Sequence, residues 1–166
     1  MSYKLKHVSK RDARYILYAL LCLPWLLLPF IGKNTFKTYG PAAIFMAHLI
    51  RIESEIAEKR NWWKIKPVIR PFNRSESPLI WGIFFIGSLV VLKWFYGRFW
   101  LYLGANLVLN ALFSYPFYYI MRKLGIAKFV RLSRAGMMFL FLLKSIIMYG
   151  YHWYFIDSSK KSTQTK

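Results

Sequence analysis

Acidic side chains are scarce in this sequence: 6 Asp and Glu stand against 25 Lys and Arg, a formal charge of +19 over 166 residues. Cysteine is nearly absent too. Cys22 stands alone inside an apolar run, which excludes an intrachain disulfide and a thiolate metal site. The three histidines, His7, His48 and His152, lack the paired spacing that zinc ligation requires, so no metal site is expected. Glycines occur singly, with no phosphate-binding loop, and neither a nucleophile elbow nor a paired-carboxylate motif is present. No internal repeat stands out. These absences remove the usual signatures of hydrolases, nucleotide-binding enzymes and metalloenzymes, and no cofactor is expected.

What the chain has instead is oil and positive charge. Hydrophobic residues make up 57% of it and aromatic residues 20%. A soluble nucleic-acid binder would spread its basic residues over a polar surface; here long apolar blocks alternate with basic clusters. Positive-inside membrane proteins distribute charge this way, so the expected partners are anionic lipid headgroups and not nucleic acid.

Five blocks emerge, over residues 15–31, 36–52, 79–96, 99–121 and 135–156. A basic segment, residues 1–14, precedes them and a polar tail, 157–166, follows. The first block, kinked by Pro24 and Pro29, rises about 26 Å at 1.5 Å per residue, close to the thickness of a hydrocarbon core. It lacks a small-residue cleavage site and reads as a signal anchor. The second block is the weakest, since it contains Gly40, Pro41 and His48 and merges into a charged helix. There, helical spacing predicts an apolar face of Phe45, Leu49, Ile52 and Ile56 and a polar face of His48, Arg51 and Glu55, with Arg51–Glu55 and Glu55–Lys59 as i,i+4 pairs. The segment to Pro78 reads as a membrane-hugging linker anchored by Trp62 and Trp63, leading into a helix with Ser77 as N-cap; Lys93 is expected to snorkel from the third block.

Charge arithmetic orients the blocks. With five crossings and a cytoplasmic N-terminus, the inside segments hold 5, 7 and 5 basic residues and the outside segments 2, 2 and 3. Were the second block re-entrant or interfacial, leaving four crossings, the inside would hold 10 and the outside 14. The positive-inside rule selects an all-α bundle of five transmembrane helices in the cell membrane, with an extracytoplasmic C-terminus. The connection carrying Arg122, Lys123, Lys128, Arg131 and Arg134 contains no acid and suits an anionic cytoplasmic leaflet.

One charge lies where lipid should be. Lys144 sits near the middle of the fifth block, at a cost of about 2.5–3.5 kcal/mol on insertion scales, and every carboxylate is expected outside the apolar cores. The fourth block offers Tyr102, Asn106, Asn110, Ser114 and Tyr118 at i,i+4 spacing, a polar stripe with Asn110 at its middle. Counting from the inner ends puts Asn110 and Lys144 within about 3 Å in depth, so the two are expected to face each other. Pro116 adds the freed carbonyl of Leu112 as a further acceptor. Lys144, Asn110, Asn106 and Ser114 are therefore the candidate intramembrane site, either interhelical hydrogen-bond glue or a cavity for an anionic group.

The stretch from Arg60-Asn61-Trp62-Trp63-Lys64 through Phe99-Trp100-Leu101-Tyr102 to Leu124-Gly125-Ile126-Ala127-Lys128 resembles small uncharacterised multi-pass membrane proteins of Bacillus-type bacteria, across residues 60 to 156. The resemblance implies a bacterial plasma membrane and brings no activity, cofactor or catalytic residue. Three functions are compatible with the residues: a non-enzymatic accessory, scaffold or sensor that binds a membrane-protein partner, a second copy or anionic lipid; a small transporter or channel using the polar stripe and Lys144; and a lipid-modifying enzyme.

Overall fold

The computed structural model describes residues 9–157, so the basic residues Lys4 and Lys6, His7, and the tail from 158 onward lie outside the described residues. Five long helices follow one another. The first, α1, is Lys10–Ile31. The Ser9 side chain accepts a hydrogen bond from the Arg11 backbone N–H and Asp12 lies in the first turn, so the helix starts on the charged residues, five before the apolar run. Pro24 tightens residues Leu23–Leu27 into a 3-10 turn without ending the helix. Gly32, at φ 82°, makes the reversal, and α2 begins at the next residue.

Helix α2, Lys33–Lys59, is one uninterrupted run of 27 residues that carries Pro41 in its interior. It extends seven residues past the expected end at Ile52. Its buried stripe also differs from the expected face: Ala43, Met46, Ala47, Ile50, Ser54 and Ala57 point inward, while Ile52 and Ile56 are 56% and 43% exposed. Small residues let helices approach closely, which leaves the larger Ile52 and Ile56 side chains on the outside.

Helix α3, Ser77–Phe95, contains a π turn over Ile80–Phe84. Its cap is Glu76, one residue before the expected Ser77, and Ser77 instead accepts a hydrogen bond from Arg51 at 3.3 Å. A Cβ on Gly82 would sit 2.9 Å from Leu21 Cα, so α1 and α3 touch backbone to backbone. Helix α4 spans 99–123, with a π turn over Phe113–Phe117 that accommodates Pro116. Helix α5, Arg134–Phe155, is capped by Ser133, whose Oγ accepts from the Gly136 N–H at 3.0 Å. Of the five, α1, α3 and α5 are long and apolar enough to cross a membrane.

The linker after α2 is less open than expected. Strand β1, Trp63–Ile65, pairs antiparallel with β2, Ala127–Phe129, and Lys64 lies directly opposite Lys128. Trp63 is buried against Ala57, Met137 and Phe141, not held at an interface. The ladder therefore ties the α2–α3 and α4–α5 connections together at one end of the bundle. The first turns of α1 join that end, where Ala13 and Leu17 pack on Ile69, Met121 and Ile126 and the Tyr18 hydroxyl donates to the Arg70 carbonyl. At the other end Lys93 donates to the Phe30 and Ile31 carbonyls, closing the C-terminus of α1 where free snorkelling was expected. The helices thus run alternately up and down, and α1, α3 and α5 point the same way.

Candidate functional site

Lys144 lies on α5 between Phe141 and Met148, both buried, and is itself only 7% exposed. Its ammonium group has a carboxylate partner: Glu53 of α2, through Oε2. The expectation that every carboxylate lies outside the apolar cores is overturned because α2 does not end at Ile52. The helix continues through Glu53, which belongs to the stripe of Ile50, Ser54 and Ala57 that packs toward α5. The ammonium also lies 4.4 Å from the centroid of the Phe141 ring, a cation–π contact.

The Lys144–Asn110 pairing is accordingly corrected. Asn110 faces α3 and lines a groove of about 280 Å3 with Ile83, Gly87, Ser88 and Asn106. The faces decide this, because α4 meets α5 through Tyr102, whose hydroxyl donates to the Ser145 carbonyl at 2.9 Å, and through Phe113 on Phe141. Asn106 is buried and returns its amide to the Tyr102 carbonyl of its own helix at 2.8 Å. Ser114 is fully buried, and neither its Oγ nor the Asn110 Nδ2 meets a hydrogen-bond partner among the described residues. The four candidate residues thus divide: Lys144 joins α2, while Asn106, Asn110 and Ser114 remain with α4.

Lys144 meets only one oxygen of the Glu53 carboxylate. The Oε1 atom is buried without a hydrogen-bond partner among the described residues, and Glu53 lines a cavity of about 60 Å3. Six aromatic side chains belong to that lining, among them Trp63, Phe84, Phe113 and Phe141, with Glu76 as a second carboxylate. The π turns of α3 and α4 shape it, since they bring Phe84 and Phe113 to 4.9 Å between ring centroids. Burial pushes the Glu76 carboxyl above the usual carboxylate range, and the nearby Glu58 charge adds to this, against the pull of backbone hydrogen bonding, Arg74 and the Trp63 side chain.

Sequence reasoning missed Glu53 and Glu76. Glu53 was legible in principle, as an acid at i+3 from Ile50 and i−4 from Ala57 on a stripe of small residues. The five basic residues of the α4–α5 connection, Arg122, Lys123, Lys128, Arg131 and Arg134, are all exposed, and Arg134 also lies over the Tyr115 and Tyr118 rings. Among the described residues no group of three or more His, Cys, Asp or Glu is placed to hold a metal ion. No family model, curated protein or solved structure matches this chain.

Proposed function

We propose that the chain is a five-span protein of the cell membrane, N-terminus in the cytoplasm and C-terminus outside, that acts as a non-enzymatic accessory or scaffold whose basic cytoplasmic end binds anionic lipid. The observation that carries this reading is the common direction of α1, α3 and α5. If those three apolar helices cross in parallel, the chain has to return twice through the same thickness, and α2 and α4 are the segments that return it. Their 27 and 25 residues amount to about 40 Å of helix each, ample for a core of about 30 Å. Asn106, Asn110 and the tyrosines dilute the apolarity of α4, and the charges beyond Ile50 dilute that of α2. The outward face of Phe36, Ile44, Ile52 and Ile56 suits lipid.

The lipid side of the proposal rests on the ladder. Lys64 and Lys128 are exposed and directly opposed, so their Cβ atoms lie about 5 Å apart, an arrangement that is destabilising without an anion between them. Arg70, Arg122, Lys123 and Arg131 are exposed at the same end. A phosphate headgroup offsets this concentration of charge. In nanodiscs, phosphatidylglycerol is expected to raise the unfolding temperature relative to phosphatidylcholine alone, and Lys64→Gln/Lys128→Gln to remove most of that gain. Equal unfolding temperatures in the two lipids would refute the lipid-binding role.

A further inference from the structure

We infer that the outer face of α1 and α3 holds one anionic phospholipid of the cytoplasmic leaflet, its phosphate between Arg14 and Arg70 and one acyl chain running to Trp25. This site presupposes the proposed membrane topology and lies apart from the ladder, since neither Lys64 nor Lys128 lines it. Two hollows meet there. The first, about 510 Å3, is mainly polar and is lined by Arg14 and Tyr18 of α1 and by Arg70, Phe72 and Asn73 of the linker. The second, about 530 Å3, is apolar and is lined by Leu21, Cys22 and Trp25 of α1, by Trp81 of α3 and again by Phe72, the wall that both share.

Charge selects the head. Among the described residues neither Arg14 nor Arg70 is paired with a carboxylate, and no acidic residue lines the polar hollow. The Tyr18 hydroxyl donates to the Arg70 carbonyl at 3.0 Å, which pins the linker beside α1 and keeps both arginines at one hollow. Guanidinium groups bind phosphate oxygens through paired, charge-assisted hydrogen bonds. A choline headgroup would bring its own cation against them, with no carboxylate to receive it. Spacing selects the tail. Arg14, Tyr18, Leu21, Cys22 and Trp25 recur at helical intervals on one face of α1. From Arg14 to Trp25 the helix rises about 17 Å, close to half of a hydrocarbon core of about 30 Å, so the groove has the depth of one leaflet. At its far end the Trp25 indole N–H donates to the Trp81 carbonyl at 3.0 Å, which leaves the ring no free donor toward a hydrocarbon chain.

The test uses the full chain in dodecyl maltoside micelles and follows alkylation by N-ethylmaleimide of the native Cys22, which is exposed in the tail groove. Dioleoylphosphatidylglycerol is expected to slow alkylation saturably, dioleoylphosphatidylcholine at the same mole fraction to slow it far less, and glycerol phosphate, a head without chains, to leave it unchanged. Arg14→Gln/Arg70→Gln is expected to raise the half-protecting fraction of phosphatidylglycerol about tenfold or more, the worth of one charge-assisted hydrogen bond, whereas Lys64→Gln/Lys128→Gln leaves that fraction unchanged. Both arginines are exposed, so the variant is expected to fold, and either single substitution decides should it not. Equal protection by the two lipids, protection by glycerol phosphate, an unchanged dependence in the arginine variant, or loss of protection in the lysine variant would overturn the inference. Absence of protection alongside a phosphatidylglycerol-dependent gain in unfolding temperature in nanodiscs would remove this site and leave the lipid-binding role of the ladder standing.

Discussion

Removing either member of the Glu53–Lys144 pair should damage the protein far more than removing both. The side chains are 9% and 13% exposed for Lys144 and Glu53, so each charge depends on the other for most of its compensation. Glu53→Gln leaves an ammonium group against the Phe141 ring, and Lys144→Met leaves a carboxylate in an aromatic cavity. Breaking a buried pair from one side costs about 3–5 kcal/mol, whereas replacing both partners by neutral groups of similar size is often neutral or stabilising by about 1–4 kcal/mol. The double variant Glu53→Gln/Lys144→Met is therefore expected to lie near wild type or above it. The assay is a double-mutant cycle on unfolding by sodium dodecyl sulfate in mixed micelles, followed by circular dichroism. Additive losses, or a Lys144→Met variant as stable as wild type, would refute the pairing, since a lysine that reached the surface would have no partner to lose.

Two further predictions concern packing and pH. Gly82→Ala forces a methyl group against the Leu20 and Leu21 backbone and should cost about 1–3 kcal/mol, while Gly87→Ala and Gly104→Ala, where a Cβ meets nothing within 4 Å, should be neutral or slightly stabilising in the same unfolding assay. The carboxyl of Glu76 holds its proton more tightly in the folded protein than its ordinary value of 4.5, so the folded state binds more protons and stability falls as pH rises from 4.5 through the elevated folded value. Glu76→Gln should therefore melt higher than wild type above that window and match it below pH 4.5, as a thermal melt at several pH values will determine.

Helix existence was readable from the sequence wherever apolar runs are long, as in residues 15–31 and 135–156. The boundaries were less so, because capping and not hydropathy decides them: Ser9 starts α1 on charged residues, and Arg60 and Asn61 end α2 well beyond the last oily turn. The ladder escaped notice because three-residue strands carry no periodicity, and its pairing joins residues more than 60 positions apart. The depth of Lys144 could be counted, but which neighbour it faces depends on helix rotation, which is set by packing. In α4 the rotation turns Tyr102 and Phe113 toward α5 and Asn110 toward α3. The carboxylate partner was hidden by the early end assigned to α2, since Glu53 lies one residue past Ile52.

The proposed topology requires five crossings with the basic connections gathered on one side. Single cysteines in a Cys22→Ser background test this most directly, with a membrane-impermeant maleimide applied to intact cells. At Lys128, on the ladder, labelling should appear only after permeabilisation, and at Thr163, in the C-terminal tail, it should appear in intact cells. Labelling of position 128 from outside, or protection of position 163 until the membrane is opened, would contradict the five-span account.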